Sequence, residues 1–565
     1  MNFEHYSQEY KYAITADNEQ QSSLTTFEEN SILIKGDISG IQDFIFNIKS
    51  RGAAKELKAR SFAIQAICEI VLQAFKEKVP NAKVIYNAGG NFYLLIPQSE
   101  KPIINIIKAL IEKSFVLEDI FFSLSSIEIE LGSHNFGDLI NLLEKNSAKD
   151  KLQKFALTEN PFIPRTIQAI QHKWKEFNAK FIQSVGFSIE KNALDCVCFE
   201  VGISSIKFMG YSLQLQITND ACGAIFNDIT QANCFFIAKR LPIWDAENMR
   251  GIENEFQETP NIGNVITFEQ LASLAFKRTG TAKIGVCKFD VDNLGKIFQK
   301  IKNLEKSKQL SHALKYFFEF HLTQLLDKTF TFNRIKYKFA DNMYIIFAGG
   351  DDAFMVGAWD AILEFISVIE SEILRFCGAG FYAFTISKAI LVLDDKYPVK
   401  RFAQMAEDAL MDAKTSSDET ILDSLGLIAK NRYSLLGQVV DNEDFKIIKA
   451  NKDKLFEFVI KYKTPKAILQ AVQQCVTEFN ALLNSNGSTD FSLPKVWRMR
   501  YYFRNDIAKG IYDQSERNIF LRDRKEFVEK YEQNLLQAYE ENNLRLLYIL
   551  PLAARWTEFL TRYKK

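Results

Sequence analysis

Three aspartates define the chemistry this chain could do. Asp351 and Asp352 stand side by side in "YIIFAGGDDAFMVGAWD" (344–360), between two apolar runs. Asp290 follows the apolar run of "KIGVCKFDVDNLGKIF" (283–298). Adjacent carboxylates repel, and burying them is costly unless a cation neutralises them. A plain surface turn would account for Gly and Asp together. Such turns are seldom flanked on both sides by strands as apolar as YIIFA and AFMVGA. The other reading is a metal site completed by a carboxylate from elsewhere in the chain, with Asp290 as the candidate. Hard oxygen ligands with no His or Cys nearby favour Mg²⁺ or Mn²⁺.

Bringing these acids together falls to the elements around them. Strand alternation puts Ile284, Val286 and Asp290 on one face, with Gly285, Cys287 and Phe289 on the other. "KQLSHALKYFFEFHLTQLLDK" follows with helical apolar spacing, and the strand–GGDD–strand segment comes next. "WDAILEFISVIESEILRFC" reads as a helix and "FYAFTISKAILVL" as a strand. "PVKRFAQMAEDALMDAK" closes as a helix with Pro398 at its start. This βαββαβ order predicts a ferredoxin-like α+β unit, in which the two central strands are neighbours. Asp290 and the Asp351–Asp352 turn would then converge on one ion pair.

The same pattern occurs earlier. "SILIKGDISGIQDFIF" (31–46) mirrors the Asp290 segment, and "KVIYNAGGNFYLLIP" (83–97) mirrors the GGDD hairpin. A helical stretch, "AAKELKARSFAIQAICEIVLQAFKE", lies between them, so the chain holds two palm-like units. Asp37 is kept in the first copy, but its tip reads Gly89-Gly90-Asn91-Phe92. Without the acid pair a two-metal site is not expected there. The first unit is expected to be structural or substrate-binding, and the second to do the chemistry.

Composition narrows the class. A chain of 565 residues, 47% apolar and 25% charged, has material for three or four folded domains. Its formal net charge of zero gives no support to a freestanding nucleic-acid binder. The N-terminus is polar and acidic, without a secretory apolar core. "LRLLYILPLAARW" is too short and too broken to span a membrane. Eight scattered Cys form no disulfide framework, so the chain reads as cytoplasmic.

Taken together, "GDISGIQDFIF", "LKARSFAIQ", "YNAGGNFYLLIP", "FDVDNLGKIF", "FAGGDDAFMVGAWD", "AEDALMDAK" and "AKNRYSLLGQ" resemble the large palm-domain subunit of type III CRISPR effector complexes. That is the Cas-ten family in its Csm branch. The resemblance covers most of residues 31–440. It implies two ferredoxin-like palm domains of the nucleotide cyclase and polymerase type, an inserted α/β region and a helical C-terminal domain. The expected boundaries are 1–30 for an extension, 31–150 for the first palm, 151–255 for the insertion, 256–440 for the catalytic palm and 441–565 for the helical domain.

The resemblance also implies a chemistry: joining ATP into cyclic oligoadenylates when the complex binds a target RNA. Asp290, Val291, Asp351 and Asp352 would hold two Mg²⁺ or Mn²⁺ ions, which activate a ribose 3′-hydroxyl and stabilise the attacked α-phosphate. Asp290, Asp351 and Asp352 are the implied catalytic set. Gly349 and Gly350 would admit the nucleotide, with Asn293, Lys414, Lys430 and, across the palm interface, Ser39 as further ATP contacts. The implied partners are Csm-type backbone subunits, a guide RNA and the activating target RNA, with no membrane. "KVWRMRYYFRND" interleaves Arg498, Arg500 and Arg504 with aromatic residues, a mix suited to single-stranded nucleic acid or to plain helix packing.

Two departures from the family pattern bear on function. Many members begin with an HD-type nuclease domain carrying a His-Asp motif. Here the first palm starts near residue 31, and none of His5, His134, His172, His312 and His321 is followed by Asp, so no DNase activity is expected. Members also often carry a four-cysteine zinc site between the palms. Cys196 and Cys198 are separated by one residue, where structural zinc pairs have at least two, and Cys222 and Cys234 lie far apart. The pattern argues against zinc. The alternatives left open are a palm enzyme making another nucleotide signal and a non-enzymatic scaffold. Diguanylate cyclases read GG-D/E-E-F, whereas the fourth position here is Asp352.

Overall fold

The computed structural model describes residues 2–15, 30–48, 53–114, 120–129, 136–152, 174–177, 185–191, 199–216, 234–235, 241–249, 260–301, 304–415, 421–474, 500–501, 511–540 and 545–562. The first palm contains β1 (Ser31–Ser39), β2 (Lys83–Ala88), β3 (Asn91–Pro97) and β4 (Phe121–Glu128), in the order β2-β3-β1-β4. The helices Ala53–Lys78 and Lys101–Ser114 supply its two crossovers, and Phe136–Leu152 follows β4. Alternation along β1 splits the core: Ile32 and Ile34 face the crossover helices. Leu33 packs instead with Leu139 and Leu143 of Phe136–Leu152.

Between the palms lies a small sheet, β6-β7-β8-β5-β9, built from β5 (Val185–Lys191), β6 (Glu200–Val201), β7 (Ser205–Phe208), β8 (Tyr211–Gln216) and β9 (Cys234–Phe235). Trp174 is buried beside it against Phe44 and Phe199, with Arg60 over its ring. Cys196, Cys198 and Cys222 lie outside the described residues, as does the side chain of Cys234, and with them the zinc question.

The second palm repeats the plan. A helix, Phe268–Thr279, opens with a capping box between Thr267 and Gln270 and stops at Gly280, whose φ of 77° suits glycine. Then come β10 (Ile284–Val291), an outlying hairpin of β11 (Thr329–Phe332) and β12 (Ile335–Lys338), and the strands β13 (Met343–Gly349), β14 (Asp352–Ala358) and β15 (Ile386–Leu393). Strand β16 (Arg432–Leu435) adds parallel to β15 and carries β17 (Gln438–Asp441), giving the order β13-β14-β10-β15-β16-β17. The first four strands have the ferredoxin-like order expected from the sequence. Cys287 and Phe289 pack under the helices Leu304–Lys315 and Trp359–Cys377. Ile284 and Val286 face the helix Val399–Thr415 and the first palm.

Residues 3–14, which show no clear apolar period, form a helix on the second palm. Tyr6 stacks on Tyr316 at 4.3 Å, Ser7 Oγ donates to the Phe376 carbonyl at 2.6 Å and Tyr10 Oη to that of Tyr382 at 2.9 Å. The helices Asn442–Ile460, Gln514–Glu540 and Arg545–Leu560 close the far side of the same core. Among the described residues no helix is long and apolar enough to cross a membrane.

The two palms meet hairpin to hairpin. A Cβ on Gly89 would lie 3.3 Å from the Gly349 carbonyl oxygen, and one on Gly350 would lie 2.8 Å from Tyr86 Oη. Only glycine permits that approach.

Candidate active site

The site grows out of one ladder. Strands β10 and β14 are antiparallel neighbours, and their register sets Asp290 directly across from Asp352. The β13–β14 hairpin closes through Gly350 and Asp351, with Gly350 at φ 68°, the first-position glycine of a tight hairpin turn. The main-chain N–H of Val291 donates to the Asp351 carbonyl at 2.9 Å and ties that turn to the end of β10. The side chain of Val291 is in the core, so only its main-chain carbonyl remains to offer an ion.

Lys414, near the end of the helix Val399–Thr415, reaches Asp290 at 2.5 Å. Lys288, two residues before Asp290 on the same face, is buried and paired with Glu407 of that helix. Among the described residues neither Asp351 nor Asp352 has an ion pair. Burial raises the pKa of all three acids. For Asp351 the Asp290 carboxylate adds to it, reaching about 7; for Asp352, pushed well up, the neighbouring Asp351 adds to it. Lys414 opposes the shift at Asp290. Lys414 and Lys288 pull the pKa of Asp351 down, and Lys288 that of Asp352, but burial and the neighbouring acids outweigh them, and a divalent cation would relieve that excess of negative charge. The donor set fits Mg²⁺ or Mn²⁺, although among the described residues no three ligating side chains form a ready-made cage.

A pH dependence follows. A carboxylate whose pKa is raised on folding holds its proton more tightly in the folded state, so stability is lost as pH rises from about 4 to about 7. Without divalent metal, Asp351→Asn is expected to melt higher than wild type by a margin that is largest near pH 8. The margin should vanish near pH 4, as measured by thermal melts across that range. Added Mg²⁺ should stabilise wild type increasingly above pH 7, because the ion binds the deprotonated form.

The first palm has the same frame and a different outcome. Asp37 pairs across the ladder with Asn91, and the Ile38 N–H donates to Gly90, just as Val291 does to Asp351. Gly90 and Asn91 therefore stand where Asp351 and Asp352 stand. The mirroring of the two tips in sequence, with Asn91 and Phe92 in those places, is one residue out. The reason is the turn: Gly89 and Gly90, both at positive φ, form the first loop, whereas Gly350 and Asp351 form the second.

Four charges are duplicated. Lys35 pairs with Glu144 at 2.6 Å and Lys151 with Asp37 at 2.8 Å, as Lys288 pairs with Glu407 and Lys414 with Asp290. In both palms the lysine and aspartate are two apart on the central strand. The glutamate and lysine are seven apart on the covering helix. Lys35, Glu144, Lys151, Lys288 and Glu407 are absent from the sequence-based set. The signal for them was K-x-D on both strands and E-x₆-K on both helices.

The remaining candidates separate. Asn293, at φ 57°, donates its amide N–H to the Ile428 carbonyl at 2.9 Å and so holds the loop that precedes β16. Lys430 lies in that loop, half-buried and without an ion pair among the described residues. Ser39 Oγ is buried and, among the described residues, has no hydrogen-bond partner. A cavity of about 190 Å³ opens beside Asp352, lined by Ala348 and Gly349 of one palm and by Gln42, Ser61 and Gln65 of the other. Of the arginine–aromatic run only Arg500 and Tyr501 are described, and Arg500 is paired with Glu532.

Two palms face to face, one bearing an acid pair on a Gly-Gly hairpin, define a palm-domain protein of the cyclase and polymerase type. Residues 30–167 match the family described as Csm1 subunit domain B, and residues 283–421 match Cas10/Cmr2, second palm domain. In its palm region the chain matches Csm-branch Cas10 subunits. A Methanocaldococcus jannaschii relative, named "CRISPR system single-strand-specific deoxyribonuclease Cas10/Csm1 (subtype III-A)", is 28% identical over 460 residues, covering 68% of this chain and 56% of its own. A Streptococcus thermophilus relative of the same name is 22% identical, covering 93% and 68%. The chain spans about half the length of the first curated relatives it matches. Among solved structures, a Csm1-Csm4 cassette in complex with pppApApA aligns with a TM-score of 0.66 at 18% identity, covering 94% of this chain and 70% of the other. The cassette in complex with cA3 aligns at 0.65 and 18%, covering 98% and 72%. At such identity the likeness establishes the fold.

Proposed function

We propose that this chain is an RNA-activated synthase that joins ATP into cyclic oligoadenylates within a Csm-type type III effector complex. The observation that carries the proposal is the cation-deficient acid set Asp290, Asp351 and Asp352 opening at the palm–palm interface. The similar Csm1-Csm4 cassettes were solved with ATP, linear pppApApA and cyclic cA3, which supports ATP as substrate and adenylate rings as products. They also support a Csm4-like subunit as partner, with guide RNA and target RNA completing the assembly.

Each residue has a task in this reading. Asp290, Asp351, Asp352 and the Val291 carbonyl hold the metal ions. When bound, those ions supply a more acidic 3′-hydroxyl and charge relief at the α-phosphate. Lys414 leaves Asp290 to neutralise the triphosphate, joined by Lys430. Gly349 and Gly350 keep side chains out of the space the nucleotide needs. Gln42, Ser61 and Gln65 give the first palm a hand in binding it.

Mass spectrometry of the products formed from ATP by the assembled complex with target RNA tests this directly. Cyclic oligoadenylates, absent without target RNA, are the expected result. AMP conjugates or cyclic dinucleotides would move the protein to another nucleotidyl transfer, and no product at all would leave a scaffold. The 565-residue chain, with no His-Asp pair, should leave single-stranded DNA intact in the same preparation with Mn²⁺.

A further inference from the structure

We propose that Asp292 is a positioning residue: its carboxylate seats the loop carrying Lys430 at the end of β10 and holds no metal. The inference rests on the nucleotidyltransferase reading above. Asp292 is only 1% exposed, and both its oxygens are already engaged by neutral donors. Oδ2 accepts from Thr385 Oγ1 at 2.7 Å and from the Asn431 main-chain N–H at 2.9 Å, and Oδ1 accepts from Ser387 Oγ at 2.6 Å. Oδ1 keeps a lone pair, but at 1% exposure the carboxylate offers an ion no open approach beside these donors. Asp290, two residues earlier, faces Lys414 instead.

The loop is pinned from the other side as well. Asn431 sits at φ 57°, and its Oδ1 accepts from Lys388 Nζ at 2.8 Å. Lys388, fully buried, also donates to Glu370 at 2.6 Å and lies 4.0 Å from the centre of the Tyr433 ring. Asn293 holds the Ile428 carbonyl. Residues 428 and 431 are therefore both fixed, and Lys430 between them has little freedom beyond its own side chain.

The first palm serves as an internal control. Register places Ser39 where Asp292 stands; among the described residues its sheet stops at β4 with no counterpart of β16, and Ser39 Oγ finds no partner. The carboxylate occurs in the palm that has a loop to hold.

The test compares Asp292→Asn, Lys430→Ala, their double variant, Asn431→Gly and Asp290→Asn in the assembled complex. Mn²⁺ binding and ATP binding are measured by calorimetry, alongside KM and kcat. Asp292→Asn should keep Mn²⁺ affinity within about twofold of wild type and weaken ATP about tenfold, the worth of one charge-assisted contact. KM should rise more than kcat falls. The double variant should bind ATP no more weakly than Lys430→Ala alone, since both remove one interaction. Asn431→Gly tolerates the positive φ, releases only the Lys388 anchor and should also weaken ATP without touching Mn²⁺. It decides the matter if Asp292→Asn melts too low to assay. Loss of Mn²⁺ binding matching Asp290→Asn would make Asp292 a ligand and overturn the proposal, as would multiplying losses in the double variant. If wild type binds ATP and Mn²⁺ but makes no product, the functional reading fails while these binding comparisons still judge Asp292.

Discussion

Replacing Asp351 and Asp352 together by Ala is expected to cut product formation by roughly 10³-fold or more, because charge relief at the transferring phosphate supplies several kcal/mol. The fold should survive. Both acids have raised pKa values from burial, and among the described residues neither has an ion pair, so without metal they strain the hairpin rather than support it. The turn itself depends on Gly350 at φ 68° and on the Val291–Asp351 main-chain bond, which Ala preserves. The metal-free double variant should therefore melt at or above wild type near neutral pH. An ATP turnover assay beside thermal melts with and without Mg²⁺ checks both halves. Undiminished turnover, or equal stabilisation of mutant and wild type by Mg²⁺ with ATP, would reduce the acid pair to an ordinary turn.

The acid site was legible in sequence because it depends on local pattern and one topological rule. Alternation along 284–290 gives Asp290 its face, and the ferredoxin-like order makes β10 and β14 neighbours. The Lys288–Glu407 and Lys35–Glu144 pairs were not legible in either palm alone, since each joins residues more than a hundred positions apart. They stand out only when the two copies are laid together by their ladders. Asp292 could not be told from Asp290 by type. The strand ends at Val291, so alternation no longer says where residue 292 points, and the partners that fix it come from Thr385, Ser387 and Asn431. The helix at 3–14 was hidden for another reason: its buried face is made of Tyr6, Ser7, Tyr10 and Ala13, which carry little apolar contrast.

The duplicated charges sharpen the last prediction, the unequal weight of the two palms. Asp37→Ala and Asp290→Ala remove the matching carboxylate from the same frame, each breaking an ion pair to a helix-borne lysine, Lys151 or Lys414. Asp37→Ala breaks two ion pairs, whereas Asp290→Ala breaks one and removes a like charge beside Asp351, so without metal Asp37→Ala should melt lower. Their effects on synthesis should run the other way. Asp290 stands across from Asp352 and beside Asp351, so its loss dismantles the acid set and should lower synthesis roughly 10³-fold or more. Asp37 stands across from Asn91 with Gly90 in the place of Asp351, a setting without a second acid to share an ion. Its two lysines already balance it, at 3.0 Å and 2.8 Å. Asp37→Ala should cost about tenfold or less, through weaker positioning of whatever nucleotide the first palm helps to bind. Product yields from the two variants, assayed as assembled complexes of matched thermal stability, decide it. Equal losses would mean that the first palm does chemistry in its own right, and that the missing acids at Gly90 and Asn91 are no handicap.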